Sequence, residues 1–414
     1  MQQRRAIVLA YSGGLDTSFC LLHLVRAGWD VIAVTVDSGG FSRAQLEEAA
    51  ARTDHFGAEH LVLDRREEIY SRCISWVIKG NILRGGVYPL CVAVERVTQA
   101  LAVAQVAADR GCSAVAHGAT AVGNDQVRFD AVLRSAGPDL DILAPIRDQN
   151  VSRERSCREL RAAGVKVSDL RATYSVNRSL WGVTIGGGDI QDPRLYPPAD
   201  AWALCGHSAP LAECVDTAIS FEAGLPVGLD GRCMGPLEII STLNDLAGPY
   251  QVGRGVHLGD TVLGVKGRTA FDAPAALVLI RAHTELEKLL LTDTQVRLKS
   301  QLAETYGNAL HQGRYLDPFM RDVEAFLDSS QRHVEGTVHV RISWQAIVVR
   351  GVDSASSLVD NEVAAYGESA DAWNGADAAG FARIFPVQAL IAARRTRRLG
   401  ATSDEAASDL SQEK

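Results

Sequence analysis

The residues best placed to do chemistry form the stretch Ala10-Tyr-Ser-Gly-Gly-Leu-Asp-Thr-Ser18. The apolar, β-branched run Ala6–Leu9 precedes it, and Phe19–Ala27 follows with apolar residues at helical spacing. This order predicts a turn that leads from a strand into a helix. Because the first N–H groups of a helix lack partners, a phosphate chain can bind at such a turn.

The residue types inside the stretch favour that interpretation. Gly13 and Gly14 allow the backbone to approach a ligand closely, Thr17 and Ser18 offer hydroxyls, and Asp16 is predicted to be the N-cap. The alternative is that the glycines and the aspartate only shape a turn. No Walker lysine follows, and the stretch instead resembles the Ser-Gly-Gly-x-Asp-Ser/Thr loop of enzymes that split ATP into AMP and pyrophosphate.

Strand and helix patterns alternate on both sides of this loop up to about residue 165. Such alternation predicts an α/β fold with a doubly wound parallel sheet, whose ligands bind at the carboxyl ends of the strands. The predicted strands are Ala6–Leu9, Asp30–Val36, His60–Leu63, Ala114–His117 and Asp141–Ala144. The predicted helices after the first are 43–56, 66–79, 92–110 and 153–163.

The remainder of the chain predicts a second, α+β domain. Its clearest patterns are strands at Ala276–Ile280 and Val338–Ile342 and helices at 284–306 and 315–332. The predicted divisions are a nucleotide-binding domain (1–165), a synthetase and oligomerisation domain (166–383), a basic C-terminal helix (384–400) and a disordered tail (401–414). The helix packs either on another subunit or back onto its own chain.

Composition excludes several classes of protein. The 414 residues are 47% hydrophobic and 22% charged with a net charge of −8, which argues against nucleic acid as a partner. The eight cysteines include no Cys-x-x-Cys pair, so no metal site is predicted among the side chains. Without a signal sequence or an apolar run of roughly 20 residues, we expect a cytoplasmic protein that does not enter membranes.

A second dense stretch is His117-Gly-Ala-Thr-Ala-Val-Gly-Asn-Asp-Gln-Val-Arg-Phe-Asp130. It follows a predicted strand, so its donors and acceptors should lie beside the nucleotide. These are Thr120, Asn124, Asp125, Gln126 and Arg128. A polar loop with a solvated helix start is the alternative.

Together the two stretches resemble the argininosuccinate synthase family, and the resemblance extends over roughly residues 5 to 395. Further segments that carry it are Tyr174-Ser175, Gly253-Arg254, Gly264–Arg268, Ala282-His283 and Val334–Val338. The family resemblance implies an adenine nucleotide alpha hydrolase-like fold, a homotetramer, and use of ATP with Mg²⁺. It also implies that ATP adenylates the ureido oxygen of citrulline, after which the amine of L-aspartate attacks and expels AMP.

Matching the family's motifs assigns roles to residues of this chain. The residues that would bind ATP are Ala10, Tyr11, Ser12, Gly13, Gly14, Leu15, Asp16, Thr17, Ser18, Val36 and Gly118. The residues that would bind aspartate are Thr120, Asn124 and Asp125, and those implied in catalysis are Asp16, Asp125 and Arg128. The pocket for the second substrate would contain Tyr88, Ala93, Arg128, Ser175, Thr184, Gly259 and Phe271.

That second pocket departs from the family pattern. Ala93 stands where the family pattern has a hydroxyl-bearing residue, and Gly259 stands where it has a glutamate. Phe271 takes the place of a tyrosine, and Val122 takes the place of a lysine in the aspartate loop. Three further acidic positions of the family pattern are here Asn177, Arg178 and Gly186.

The four lost acids would make the region more positive by five charges, so an ammonium would lose its counter-charges. We therefore expect a ligase that joins aspartate to an unidentified second substrate other than citrulline. Two alternatives stay open: a true argininosuccinate synthase, and an inactive paralogue that binds or assembles.

Overall fold

The computed structural model describes residues 5–167, 174–205 and 212–398. The predicted disordered tail, residues 401–414, lies outside the described residues. Contacts divide the chain into two units, Met1–Ser356 and Ser357–Lys414. The predicted division between residues 165 and 166 falls inside the first unit and stays a prediction.

A five-stranded parallel sheet organises the first part of the chain, with strand order β3-β2-β1-β4-β5. This is the predicted doubly wound α/β arrangement. Its strands are β1 (Ala6–Ala10), β2 (Asp30–Asp37), β3 (Glu59–Asp64), β4 (Ala114–Ala116) and β5 (Asp141–Leu143). The helices are α1 (Leu15–Arg26), α2 (Arg43–His55), α3 (Arg66–Ile69), α4 (Ser75–Gly80), α5 (Cys91–Asp109), α6 (Asn124–Ala136), α7 (Pro145–Asp148) and α8 (Arg153–Ala162).

Helices cover both faces of this sheet because its strands are apolar on both sides. Along β1, Ile7 and Leu9 pack with Phe19 of α1, whereas Val8 packs with the core that contains α5. Helix α5 is long and apolar enough to span a membrane, but 78% of it is buried in the fold, as in a core helix. A π-helical turn, Tyr70–Ile74, joins α3 to α4, so the predicted helix 66–79 is one continuous helical segment.

The rest of the first unit contains two antiparallel sheets and a layer of helices. One sheet has the order β11-β12-β7-β6, and the other has the order β10-β9-β8-β13-β14. The strands are β6 (Ser175–Ser179), β7 (Gly182–Gly186), β8 (Cys214–Glu222), β9 (Leu225–Leu229), β10 (Arg232–Cys233), β11 (Arg254–Asp260), β12 (Lys266–Asp272), β13 (Gly336–Ser343) and β14 (Ala346–Asp353). The helices are α9 (Pro236–Ala247), α10 (Pro274–Leu290), α11 (Asp293–His311) and α12 (Pro318–Gln331).

One predicted strand is wrong. Ala276–Ile280 lies in α10, because Pro274 starts a helix and the following apolar residues face the core on every turn. The predicted strand at Val338–Ile342 is confirmed within β13, and the predicted helix at 315–332 is confirmed as α12. The predicted helix at 284–306 is two helices, because Thr292 caps a new helix with a capping box.

The second unit contains a short hairpin and two helices. Its elements are β15 (Ala364–Ala365), β16 (Ser369–Ala370), α13 (Gly375–Ile384) and α14 (Val387–Arg398). Helices α13 and α14 meet at a bend of 43°, so the predicted basic helix is α14.

Candidate active site

The first predicted loop is the turn between β1 and α1, as expected. Gly13 has φ +68°, and a Cβ there would lie 3.1 Å from the Cβ of Ala49. Both the left-handed backbone and the close packing therefore require glycine. Gly14 is the extended N-cap residue, so Asp16 is not the cap that the sequence suggested. Asp16 lies in the first turn of α1, where burial raises its pKa and Arg153 opposes that rise.

Hydroxyl groups and a cation surround this turn. Ser12 Oγ lies 3.1 Å from Thr17 Oγ1, and the N–H of Gly14 donates to Ser12 Oγ at 3.3 Å. The guanidinium of Arg52 donates to the Gly13 carbonyl and, at 3.3 Å, to Ser18 Oγ. Sequence reasoning missed Arg52, because α2 brings it to the loop from 39 residues away. A loop with hydroxyls, a helix start and an arginine suits a phosphate chain.

The other predicted nucleotide residues come to the same edge of the sheet. Val36 is buried near the end of β2, and Gly118 follows β4. A Cβ on Gly118 would lie 3.0 Å from Thr17 Cγ2 and 3.2 Å from Thr17 N. Glycine therefore lets the loop after β4 approach the start of α1. The buried Tyr11 hydroxyl has no partner among the described residues.

Of the predicted aspartate residues, Asn124 and Asp125 begin α6 and Thr120 lies in the loop before it; the helix has no side-chain cap. Its first N–H groups can therefore receive a carboxylate. Asn124 Oδ1 accepts a hydrogen bond from the N–H of Val262 at 2.8 Å, which ties α6 to the turn between β11 and β12. Thr120 lies beside Gly123, whose Cβ position is 3.4 Å from Thr120 Oγ1.

Asp125 is held by two arginines of its own chain. Its carboxylate accepts from Arg96 Nε at 2.9 Å and from Arg128 Nη1 at 2.8 Å. Burial acts to raise the pKa of Asp125, but the two guanidinium groups hold that pKa at about 2. Both carboxylate oxygens are engaged, so the side chain is positioned as an anion between two cations.

Four of the predicted second-substrate residues, Ser175, Thr184, Gly259 and Phe271, share one face of the β11-β12-β7-β6 sheet. Register places Asn177, Thr184, Phe271 and Gly255 in one row across the four strands. Ser175, His257 and Gly259 lie on the same face because side chains alternate along a strand. Phe271 lies 5.3 Å from the Tyr88 ring, and Asn177 accepts from Arg96. The structure therefore brings Tyr88, Ser175, Thr184, Gly259 and Phe271 to one region, and Ala93 is buried in the first turn of α5.

Comparison with known proteins identifies the family of this chain. Family models described as the arginosuccinate synthase N-terminal HUP domain and C-terminal domain match residues 6–166 and 174–392. A protein of Hyperthermus butylicus named argininosuccinate synthase is 38% identical over 94% of this chain and 98% of its own length. Proteins of the same name from Methanocaldococcus jannaschii and Dictyoglomus turgidum are 34% and 37% identical, over 95% and 93% of this chain and 99% and 97% of their own lengths. The chain belongs to the argininosuccinate synthase family. It is therefore an ATP-dependent carbon–nitrogen ligase by family.

The structure removes one of the four positions, Arg178, from the expected loss of acidic groups around this pocket. Arg178 points away from Ser175 and Asn177 along β6 and donates to the Ala203 carbonyl at 2.8 Å. Near Asn177, Glu95 supplies a carboxylate that lies 3.0 Å from Arg96. Burial raises the pKa of Glu95, and Arg96 opposes that rise.

At position 259 the difference from the family pattern is one of shape as well as charge. A Cβ on Gly259 would lie 2.7 Å from His257 Nε2, so the imidazole occupies the space that a larger residue would need. The same ring stacks on Tyr88, with centroids 5.7 Å apart. At Gly186, in contrast, no atom of the other described residues, apart from its two chain neighbours, lies within 4 Å of the Cβ position. Sequence reasoning missed His257, because nothing in the motif pattern marks it.

Proposed function

We propose that this chain uses ATP to adenylate an oxygen of a second substrate and then joins that substrate to the amine of L-aspartate. The observation that carries the proposal is the approach of Gly118 to Thr17, which puts the predicted phosphate loop and the aspartate loop at one sheet edge. Adenylation forms an oxygen–phosphorus bond and releases pyrophosphate. Attack by the amine forms a carbon–nitrogen bond, breaks the carbon–oxygen bond to AMP, and releases a proton.

In this proposal residues 10–18 hold the phosphates, and Mg²⁺ bound beside them would balance the charge of the leaving pyrophosphate. In the same proposal, Val36 and Gly118 line the nucleotide site. The start of α6, with Thr120 and Asn124, orients aspartate, and Asp125 keeps Arg128 in place. Bringing both reactants to one edge supplies much of the rate enhancement, because an unfavourable encounter becomes an event within one complex.

Citrulline is the first candidate for the second substrate, because the relatives reported above are named argininosuccinate synthase. A different second substrate is the other candidate, favoured by His257 in the space beside Gly259 and by Phe271 in place of a hydroxyl-bearing ring. Incubation with ATP, aspartate and citrulline decides between them. Rapid AMP and argininosuccinate formation supports the first candidate, whereas aspartate binding without citrulline turnover supports the second.

Binding measurements test the aspartate site itself. In calorimetry with a non-hydrolysable ATP analogue, we expect Thr120→Val to weaken aspartate binding about 3- to 10-fold, since it keeps volume and deletes a hydrogen-bonding group. Thr305→Val, on the exposed face of α11, is the matched control and should bind aspartate like the parent. If neither ATP nor aspartate binds the parent chain, an inactive paralogue is the remaining interpretation.

The same proposal includes a cytoplasmic homo-oligomer, a tetramer by family resemblance. In the second unit, α13 has no buried residue, and Phe381, Ile384 and Phe385 are 66%, 71% and 77% exposed. Exposed apolar side chains in one segment favour a protein partner, and a second copy of the chain satisfies that need. Sedimentation should give a tetramer that Phe381→Ser with Phe385→Ser dissociates; a monomeric parent chain would refute this part.

A further inference from the structure

Among the described residues, the guanidinium of Arg84 has only neutral hydrogen-bond partners. Its Nη1 donates to Asn308 Oδ1 at 2.7 Å, and its Nη2 donates to the Asp260 carbonyl at 2.9 Å. Its Nε is buried and has no partner among the described residues. The Asp260 carboxylate lies 2.7 Å from Lys266, so it already pairs with another cation. Arg84 therefore carries a positive charge that no described carboxylate neutralises by direct contact.

A second unsatisfied donor lies on His311 at the end of α11. Arg128 Nη2 lies 3.0 Å from His311 Nδ1, and a guanidinium can only donate, so Nδ1 accepts and Nε2 carries the hydrogen. The residue is 6% exposed, and His311 Nε2 has no partner among the described residues. Burial, followed by the charges of Arg128 and Arg84, lowers the pKa of His311 to about 2, so the ring is neutral.

His257 connects these groups to the predicted second-substrate pocket. Its ring stacks on Tyr88, and a Cβ on Gly85, next to Arg84, would lie 3.1 Å from its Cε1. Burial and the charge of Arg84 lower the pKa of His257, so this ring is also neutral. The wall around Tyr88 thus combines the charged guanidinium of Arg84 with the neutral imidazole of His257. His311 is close enough to this wall for the charges of Arg128 and Arg84 to lower its pKa.

The acidic groups near this wall are already used. Asp125 gives one carboxylate oxygen to Arg96 and the other to Arg128, and Glu95 lies against Arg96. These four side chains balance one another as two anions and two cations. A substrate ammonium would consequently find no free carboxylate among them, whereas a substrate carboxylate would find Arg84.

We propose that Arg84, with the Nε2–H of His311 and the ring of His257, binds an anionic group of the second substrate. The substrate class is then a ureido acid recognised through its carboxylate, for which a free ammonium is unnecessary. This inference rests on the proposed function, since it assigns the recognition end of the substrate that becomes adenylated.

The test compares three ureas with ATP and aspartate, and it measures kcat/KM for AMP formation. The ureas are 5-ureidopentanoate, citrulline, which adds an ammonium, and butylurea, which lacks both charges. We expect 5-ureidopentanoate to match or exceed citrulline. Arg84→Gln should lower kcat/KM for 5-ureidopentanoate about 10- to 100-fold, the range for losing a hydrogen bond to a charged group, and leave butylurea unchanged.

Two further variants sharpen the test. Arg232→Gln is the matched control, because that guanidinium is 73% exposed and pairs with Glu238 at 3.1 Å. His257→Glu should shift the ratio of the two acids toward citrulline, because its carboxylate can pair with Arg84 or receive an ammonium. The same glutamine and glutamate variants are also followed by calorimetry with 5-ureidopentanoate and a non-hydrolysable ATP analogue, which needs no turnover.

The inference is overturned if citrulline exceeds 5-ureidopentanoate by tenfold or more, or if Arg84→Gln lowers butylurea turnover to the same extent. An absence of aspartate-dependent AMP formation with every urea counts against the proposed function instead. Calorimetry still decides the inference in that case. Equal binding of 5-ureidopentanoate to the parent chain and to Arg84→Gln refutes it, and a loss of binding in the variant supports it.

Discussion

Replacing Asp125 by asparagine should destabilise the fold in a way that depends on pH. Arg96 and Arg128 hold the pKa of this carboxyl at about 2, against 3.8 for the free group, after burial has acted in the opposite direction. At 1.36 kcal/mol per pKa unit, the ionised form contributes about 2 kcal/mol at pH 7. The side chain is 29% exposed, so only modest screening by solvent is expected.

The sign of the pH effect follows from the lowered pKa. The stabilisation is complete above the unfolded pKa near 4 and is lost as the pH falls through about 2, so roughly half of it remains at pH 3. Urea denaturation of the parent chain and Asp125→Asn should thus differ by about 2 kcal/mol at pH 7 and about 1 kcal/mol at pH 3.

The control for this prediction is Asp64→Asn. Arg66 lowers the pKa of Asp64 to about 2 as well, but that carboxyl is 57% exposed. Solvent screens such a pair, and its loss should cost below about 1 kcal/mol. Equal effects of the two substitutions, or a gap for Asp125→Asn that grows as the pH falls, would show that the buried arginine pairing is not the cause.

Two further predictions concern packing and buried charge. Gly259→Glu should lower the free energy of unfolding by about 1–3 kcal/mol, because its Cβ meets the His257 ring. Gly186→Glu meets no other described residue at its Cβ and should lower it by less than about 1 kcal/mol. Thermal unfolding compares the two variants, and a larger loss for Gly186→Glu would contradict the reasoning. Lys299→Ala should cost about 3–5 kcal/mol, because it leaves the buried carboxylate of Glu287, 2.7 Å from the ammonium, without its cation. An unchanged urea midpoint for Lys299→Ala would show that the pair contributes no net stability.

The parallel-sheet half of the fold was predictable because each element has a strong local pattern. Apolar runs such as Asp30–Val36 are typical of buried parallel strands, and the predicted parallel sheet was confirmed. The prediction of a strand at Ala276–Ile280 was wrong because a short apolar run looks the same in a buried strand and in a buried helix. The neighbouring Pro274 was the available signal, since proline favours the first turn of a helix.

The candidate site likewise contains residues that local sequence patterns predicted and residues that they did not. The loop at residues 10–18 and the start of α6 are contiguous segments, so their residue types indicated their surroundings directly. Arg84, His257 and His311 come from three distant segments that only the folded chain brings together. No periodicity or motif marks such residues, and their proximity depends on how the antiparallel sheet lies against α5 and α11.

Counting charges along the sequence was therefore a poor guide to the pocket's electrostatics. The count treated Arg178 as part of the pocket, yet its strand position turns it away, and it omitted Glu95, whose carboxylate lies beside Arg96. What a ligand meets is set by the groups left without partners after the internal pairs have formed. Among the described residues of this region, those groups are the Nε of Arg84, the Nε2 of His311 and the hydroxyl of Thr184. The first two can only donate, and the hydroxyl can donate or accept. Because all three can donate a hydrogen bond, they favour a ligand that carries acceptors, whatever the net charge of the surrounding segments.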